Sequence, residues 1–179
     1  LSPVIVVILI GASGSGKTAI ASAIRSRHPE EFNIFHFDHV GVPATERMVA
    51  DYGSGEGWQR AKTIEWMKIL AEAAELPRPV LFEGQTRLSF LAEGAASVGG
   101  LRYAPILVDC DDETRISRLS IGRKRPDLAN ATMINWAKWL RRDAIERRCE
   151  ILDTSRRPLE EGVSYVVERL RSQLSLKRS

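Results

Sequence analysis

Apolar residues run unbroken from Val4 to Ile10, and neither polar nor charged positions alternate with them. A short run of this kind suits a parallel strand covered on both faces, where neither set of side chains meets water. Phe32 to Phe37, Val80 to Glu83, Pro105 to Cys110 and Cys149 to Leu152 read as four further strands. Helical segments fall between them: Lys17 to Arg27, Pro43 to Asp51, Glu56 to Glu75, Leu88 to Ser97, Asp112 to Ser120, Ala131 to Arg148 and Leu159 to Leu174. His28-Pro29, Gly53-Ser54-Gly55, Pro77-Arg78-Pro79 and Gly99-Gly100 punctuate the pattern where elements must end. Strands alternating with helices of these lengths predict a three-layer α/β sandwich around a mainly parallel five-stranded sheet.

The helical spacing also assigns faces. Trp58, Ala61, Ile64, Trp66, Ile69, Leu70 and Ala73 form a packing stripe, with Trp58 near the helix start also placed to wall a substrate. Arg141-Arg142 and Arg147-Arg148 fall on the polar side of their helix and are expected to face solvent, one of the first pair reaching an anion at most in a closed state. At 179 residues, 44% hydrophobic and 27% charged, the chain has the size and balance of one soluble domain spanning 1–179. Its 26 basic and 23 acidic side chains leave a net charge of +3, too small an excess to argue for nucleic acid. Leu1 to Ile10 is too short to span a bilayer and the following residues supply no cleavage site, so no membrane association and a cytoplasmic location are expected. Cys110 and Cys149, both at strand ends, read as buried thiols and not as a disulfide or metal pair. Nothing in the pattern sets an oligomeric state.

Chemistry concentrates in Gly11-Ala12-Ser13-Gly14-Ser15-Gly16-Lys17-Thr18, lying between the first strand and the first helix. GxxxxGK[ST] in that setting is a phosphate-binding loop: glycines let successive N–H groups converge, and the helix adds the positive end of its dipole. Lys17 is placed to reach β and γ phosphates and the Thr18 hydroxyl to ligate Mg2+. Ligands of open parallel sheets bind beyond the carboxyl ends of the strands. Three groups stand at such ends. Glu83 suits a carboxylate near the Mg2+ of Thr18, Asp38 suits a base or positioning group for an acceptor hydroxyl, and Arg87 suits a fork onto an anionic acceptor. His36 and His39 bracket Asp38 as packing or substrate contacts, His39 being the one counted with the acceptor site. The basic cluster Arg115, Arg118, Arg123, Lys124 and Arg125, about a segment at 120–130, is expected to act as a lid that closes over a transferring phosphoryl group and excludes water.

Together these residues resemble the small P-loop kinases, the superfamily of nucleoside monophosphate kinases, shikimate kinase and gluconate kinase. Phe82-Glu83-Gly84-Gln85-Thr86-Arg87 is similar to the leucine-aspartate-glycine-phenylalanine-proline-arginine pattern of the first of these, with Gln85-Thr86 in place of phenylalanine-proline. Arg118 and Gly122-Arg123-Lys124 resemble the arginine and glycine-arginine-arginine of their lid, with spacing longer by one, and Arg125-Pro126 resembles the lid pair of shikimate kinase. The resemblance implies strand order 2-3-1-4-5, ATP and Mg2+ as donor and metal, and phosphoryl transfer to a small molecule. Phe37-Asp38-His39 matches the position where kinases of metabolite hydroxyls carry an acceptor-binding aspartate. An ATP-dependent kinase of a small hydroxylated metabolite, nucleoside or antibiotic is therefore the leading expectation. A nucleoside monophosphate kinase and a nucleotide-gated regulatory protein are the alternatives.

Overall fold

The computed structural model describes residues 5–175. Five strands, β1 (Val6–Ile10), β2 (Asn33–His36), β3 (Val80–Gly84), β4 (Tyr103–Asp109) and β5 (Glu150–Asp153), form one sheet in the order β2-β3-β1-β4-β5. Every neighbouring pair is parallel, with Ile8 of β1 opposite Phe82 on one side and Pro105 on the other. Among the described residues seven α-helices cross between or follow them: α1 (Lys17–Arg27), α2 (Thr45–Tyr52), α3 (Gly55–Ala74), α4 (Leu88–Ser97), α5 (Asp112–Ser117), α6 (Ala131–Glu146) and α7 (Leu159–Ser175).

Period-two geometry divides β1 between two cores. Val6, Ile8 and Ile10 pack with Met67 and Leu70 of α3, Leu91 of α4 and Leu140 of α6, whereas Val7 and Leu9 pack with Ile20 and Ile24 of α1 and Val166 and Leu170 of α7. All five β1 residues are fully buried, as the unbroken apolar run requires. Val4, where the sequence begins this strand, lies outside the described residues.

Several boundaries differ from those read in the sequence, each for a local reason. β2 stops at His36 because Phe37–Val40 turns into a 3-10 helix. β4 starts two residues before Pro105, whose missing N–H costs little there because pairing with β5 begins only at Ile106. The helix expected from Asp112 to Ser120 gives way after Ser117 to a π-helical turn, Arg118–Gly122, closed by the Arg123 N–H on the Arg118 carbonyl at 2.9 Å. α6 ends at Glu146, two residues early, because Arg148 adopts a left-handed φ of 54° and the Cys149 N–H reaches back to the Ala144 carbonyl. On α3 the buried stripe runs through Thr63, Met67 and Ala74 and leaves Ile69 exposed. Both cysteines are free; Cys110 follows β4 and is buried, while Cys149 precedes β5, half-buried, its thiol pushed up to about 11 chiefly by burial. Among the described residues no helix is long and apolar enough to cross a membrane.

α3 and α4 touch at Gly94, where an added Cβ would lie 2.6 Å from Met67 Cγ and 2.9 Å from Met67 Cβ. Gly94→Ala must therefore push two helices apart, and we expect it to destabilise the fold by about 1–3 kcal/mol in a urea denaturation midpoint despite the better helix propensity of alanine.

Candidate functional site

The loop between β1 and α1 is shaped by three positive-φ glycines, Gly11, Gly14 and Gly16. Gly11 tolerates no side chain, because a Cβ there would sit 2.3 Å from the Val108 carbonyl oxygen. Lys17 opens α1 and is buried, and the Ser15 hydroxyl is buried without a hydrogen-bond partner. Burial pushes the Lys17 ammonium below its ordinary value, opposed by the charge of Glu83 and reinforced by that of Arg123. A desolvated ammonium, an unpartnered hydroxyl and a loop too tight for side chains together form a cradle for an anion.

Glu83, at the end of β3, accepts from the Thr18 hydroxyl at 3.2 Å and pairs with His36 Nδ1 at 2.8 Å. Burial pushes its carboxyl up, but the His36 hydrogen bond and the Lys17 charge outweigh that and hold it below the usual carboxylate range. An ionised carboxylate held against the loop's threonine fits a Mg2+ accompanying nucleotide phosphates.

Asp38 is exposed in the 3-10 turn after β2, close enough for its charge to act on Lys17. Its place is set by Phe37, which is buried against Gly84, Trp58 and Phe82 and whose carbonyl accepts from Trp66 Nε1 at 3.3 Å. His39 is exposed beside it, its ring 4.9 Å from that of His36. Trp58 is not an open substrate wall: it is buried, with its ring 5.6 Å from the Phe37 ring, and so acts on the site only by supporting that turn.

Arg87 caps the start of α4. One of its terminal nitrogens donates to Glu56 at 3.0 Å, and the guanidinium lies 5.3 Å from the Trp136 ring and 4.7 Å from the Trp139 ring, two indoles stacked within 8° of parallel. Arg87 Nε and Trp136 Nε1 are both buried without a partner. Gln85, between Glu83 and Arg87, accepts from the Ser13 hydroxyl through its side-chain carbonyl at 3.4 Å and from Gln59 through its backbone at 2.7 Å, so the strand end is tied to both the phosphate loop and α3.

The basic cluster is not one lid. Arg115 is fully buried and donates to the Ser13 carbonyl at 2.7 Å and to Asp109 at 2.7 Å, so it stands behind the loop. Arg118 donates to the carbonyls of Gly14, Ser15 and Thr154 and to the Thr154 hydroxyl. Arg125 is exposed and forks onto Asp127, and Lys124 is exposed with a φ of 53°. Arg118 and Arg123 are the two of the five that line the cavity beside the loop, and neither pairs with a carboxylate among the described residues. That cavity, about 290 Å3, is also bounded by Gly16, Ile20, Pro158 and Leu159. Its mix of apolar walls and edge arginines suits a nucleoside. Arg141 corrects a further expectation: it does not face solvent freely but donates to Asp109 at 2.6 Å and to the Cys110 carbonyl at 3.1 Å.

No protein-family model matches the chain, and no curated protein matches it in sequence. Solved structures do. The shikimate kinase of Acinetobacter baumannii in complex with shikimate superposes with a TM-score of 0.61 at 16% identity over 94% of both chains. A gluconokinase from Sinorhizobium meliloti 1021 gives 0.59 at 20% identity, over 96% of this chain and 93% of its own. The APS kinase of Mycobacterium tuberculosis in complex with AMPPNP and APS gives 0.60 at 15% identity, over 94% and 99%. This chain has the P-loop kinase fold. The strand order 2-3-1-4-5 is the one that the resemblance to the small P-loop kinases implies.

Sequence reasoning missed Asp109, Arg115 and Arg141 as a connected group, and Pro158 and Leu159 as cavity walls. Only Arg115 left a legible signal, since it lies one helical turn before the fully buried Leu119.

Proposed function

We propose that the chain transfers the γ-phosphoryl group of ATP to a hydroxyl of a small metabolite, nucleoside or antibiotic. The observation that carries this reading is the buried Lys17, flanked by the loop glycines and by the Thr18–Glu83 contact, with the exposed Asp38 within electrostatic reach on the acceptor side. The kinase names of the structural neighbours support the same class of reaction.

In this mechanism the amides of Gly11 to Thr18 and the Lys17 ammonium hold the donor phosphates, and the adjoining cavity with Arg118 holds the nucleoside. Thr18 and Glu83 would hold Mg2+, which would neutralise phosphate charge there. Asp38 receives the proton of the acceptor hydroxyl as its oxygen forms a bond to the γ-phosphorus, and the bond to the leaving ADP breaks. Arg123, joined by Arg125 if the turn closes, offsets the charge on the transferring group, and His39 and Arg87 contact the acceptor.

A screen of pooled metabolites, nucleosides and aminoglycosides for ATP consumption, followed by mass detection of a phosphorylated product, tests this reading, with Lys17→Ala as the blank. A product carrying the phosphoryl group on a former hydroxyl is the expected result. If the only product were a nucleoside diphosphate, the chain would be a nucleoside monophosphate kinase, and the assignment of Asp38 would fall. Turnover no greater than in the Lys17→Ala blank across every pool would sink the enzymatic reading itself.

A further inference from the structure

The phosphate loop is held from behind by arginines. Because a peptide unit is planar and trans, its carbonyl and its N–H point in opposite directions, so a partner that pulls the carbonyl outward aims the next amide inward. Arg115 holds the Ser13 carbonyl at 2.7 Å and thereby directs the Gly14 N–H toward the concave side. Arg118 holds the Ser15 carbonyl at 3.2 Å, with the Thr154 hydroxyl on the same oxygen at 2.7 Å, and this directs the Gly16 N–H likewise.

What sets Arg115 is equally specific. Its other terminal nitrogen donates to Asp109 Oδ1, and Asp109 Oδ2 accepts from Arg141 Nε, so one buried carboxylate joins the loop's pillar to α6. α6 begins where the basic segment ends, capped by Asn130, and carries the Trp136–Trp139 pair against Arg87. The helix is thus in contact with the acceptor-side arginine at one point and, through two ion pairs, with the donor loop at another.

We propose that Arg141, Asp109 and Arg115 form a positioning relay that sets the phosphate-loop peptide planes and makes α6 respond to nucleotide occupancy. The proposal rests on the nucleotide reading of the loop. Arg141 is the member to probe, because its side chain is 39% exposed and its removal leaves Arg115 its own carboxylate.

The test is amide hydrogen exchange read by mass spectrometry on the full chain, with and without AMPPNP and Mg2+, for the wild type, Arg141→Met and Arg141→Lys, with affinity measured calorimetrically. In the wild type, nucleotide should slow exchange both in the peptide covering Gly11 to Thr18 and in that covering Ala131 to Glu146. Arg141→Met should keep the loop protection, lose the α6 protection and weaken nucleotide binding by about two- to thirtyfold. Arg141→Lys, retaining a cation, should recover part of both effects. A merely structural ion pair would lower the melting temperature and leave the α6 response in place, and that result would overturn the relay while the nucleotide reading stood. Absence of nucleotide binding in the wild type would remove both together.

Discussion

Asp109→Ala is expected to cost about 3–5 kcal/mol of folding stability, the range for removing one partner of a buried ion pair. In a domain of this size that corresponds to a fall in melting temperature of roughly 6–20 °C, readable by circular dichroism. The magnitude follows from what would be left behind. Arg115 has no exposed surface, and apart from Asp109 it is satisfied only by the Ser13 and Cys110 carbonyls; its Nε is already without a partner. Deleting the carboxylate leaves a guanidinium charge inside the protein with no counter-ion. Arg141, being partly exposed, can turn to water, so the cost lies almost entirely with Arg115. Asp109→Asn keeps the shape and one acceptor oxygen but not the charge, and should fall between the alanine variant and the wild type. A loss below about 1 kcal/mol for Asp109→Ala, the scale of an exposed ion pair, would show that water reaches Arg115 in solution and that the pillar is not dry.

The difference between what could and could not be read from the residues follows a physical line. β1 was legible because burial on both faces demands an uninterrupted apolar run, and the loop after it because closely spaced glycines followed by Lys17 and Thr18 have few other uses. Asp38, Glu83 and Arg87 were legible as strand-end groups, since a parallel sheet gathers such ends at one edge. The arginines were not. Arg115, Arg118, Arg123 and Arg125 lie within eleven residues, and as a charge pattern they read as one solvated or closing surface. Whether a guanidinium points behind the loop, across it or toward Asp127 depends on helical phase and on the π-helical turn at Arg118–Gly122, which shifts every side chain beyond it. Arg141 shows the same limit in a different form. Its counter-ion, Asp109, is on β4, and no local periodicity on α6 reports a partner on a strand. Trp58 failed as a substrate wall because the need to bury Phe37 outweighed the appeal of an aromatic at the cleft edge.

Lys17→Ala and Asp38→Asn should separate donor binding from transfer. Lys17 is a buried cation whose pKa is held down chiefly by burial, so in the absence of an anion its charge is costly, and bound phosphates relieve that cost. Lys17→Ala should therefore weaken nucleotide affinity and abolish detectable product. Asp38 differs in every relevant respect: it is exposed, it sits on a turn anchored by its neighbour Phe37, and it makes no hydrogen bond that supports the phosphate loop. On the proposed mechanism, replacing it with asparagine removes the proton acceptor and little else. Transfer to the acceptor found in the product screen should fall by about 10²–10⁴-fold, the range for a positioned general base, while calorimetric AMPPNP affinity stays within about twofold. Equal loss of binding and turnover in Asp38→Asn would place this carboxylate in the donor site instead, through its field at Lys17. Unchanged turnover would make it a turn residue alone, and the proton would have to leave by way of the phosphate oxygens, as the loose transition state of phosphoryl transfer permits.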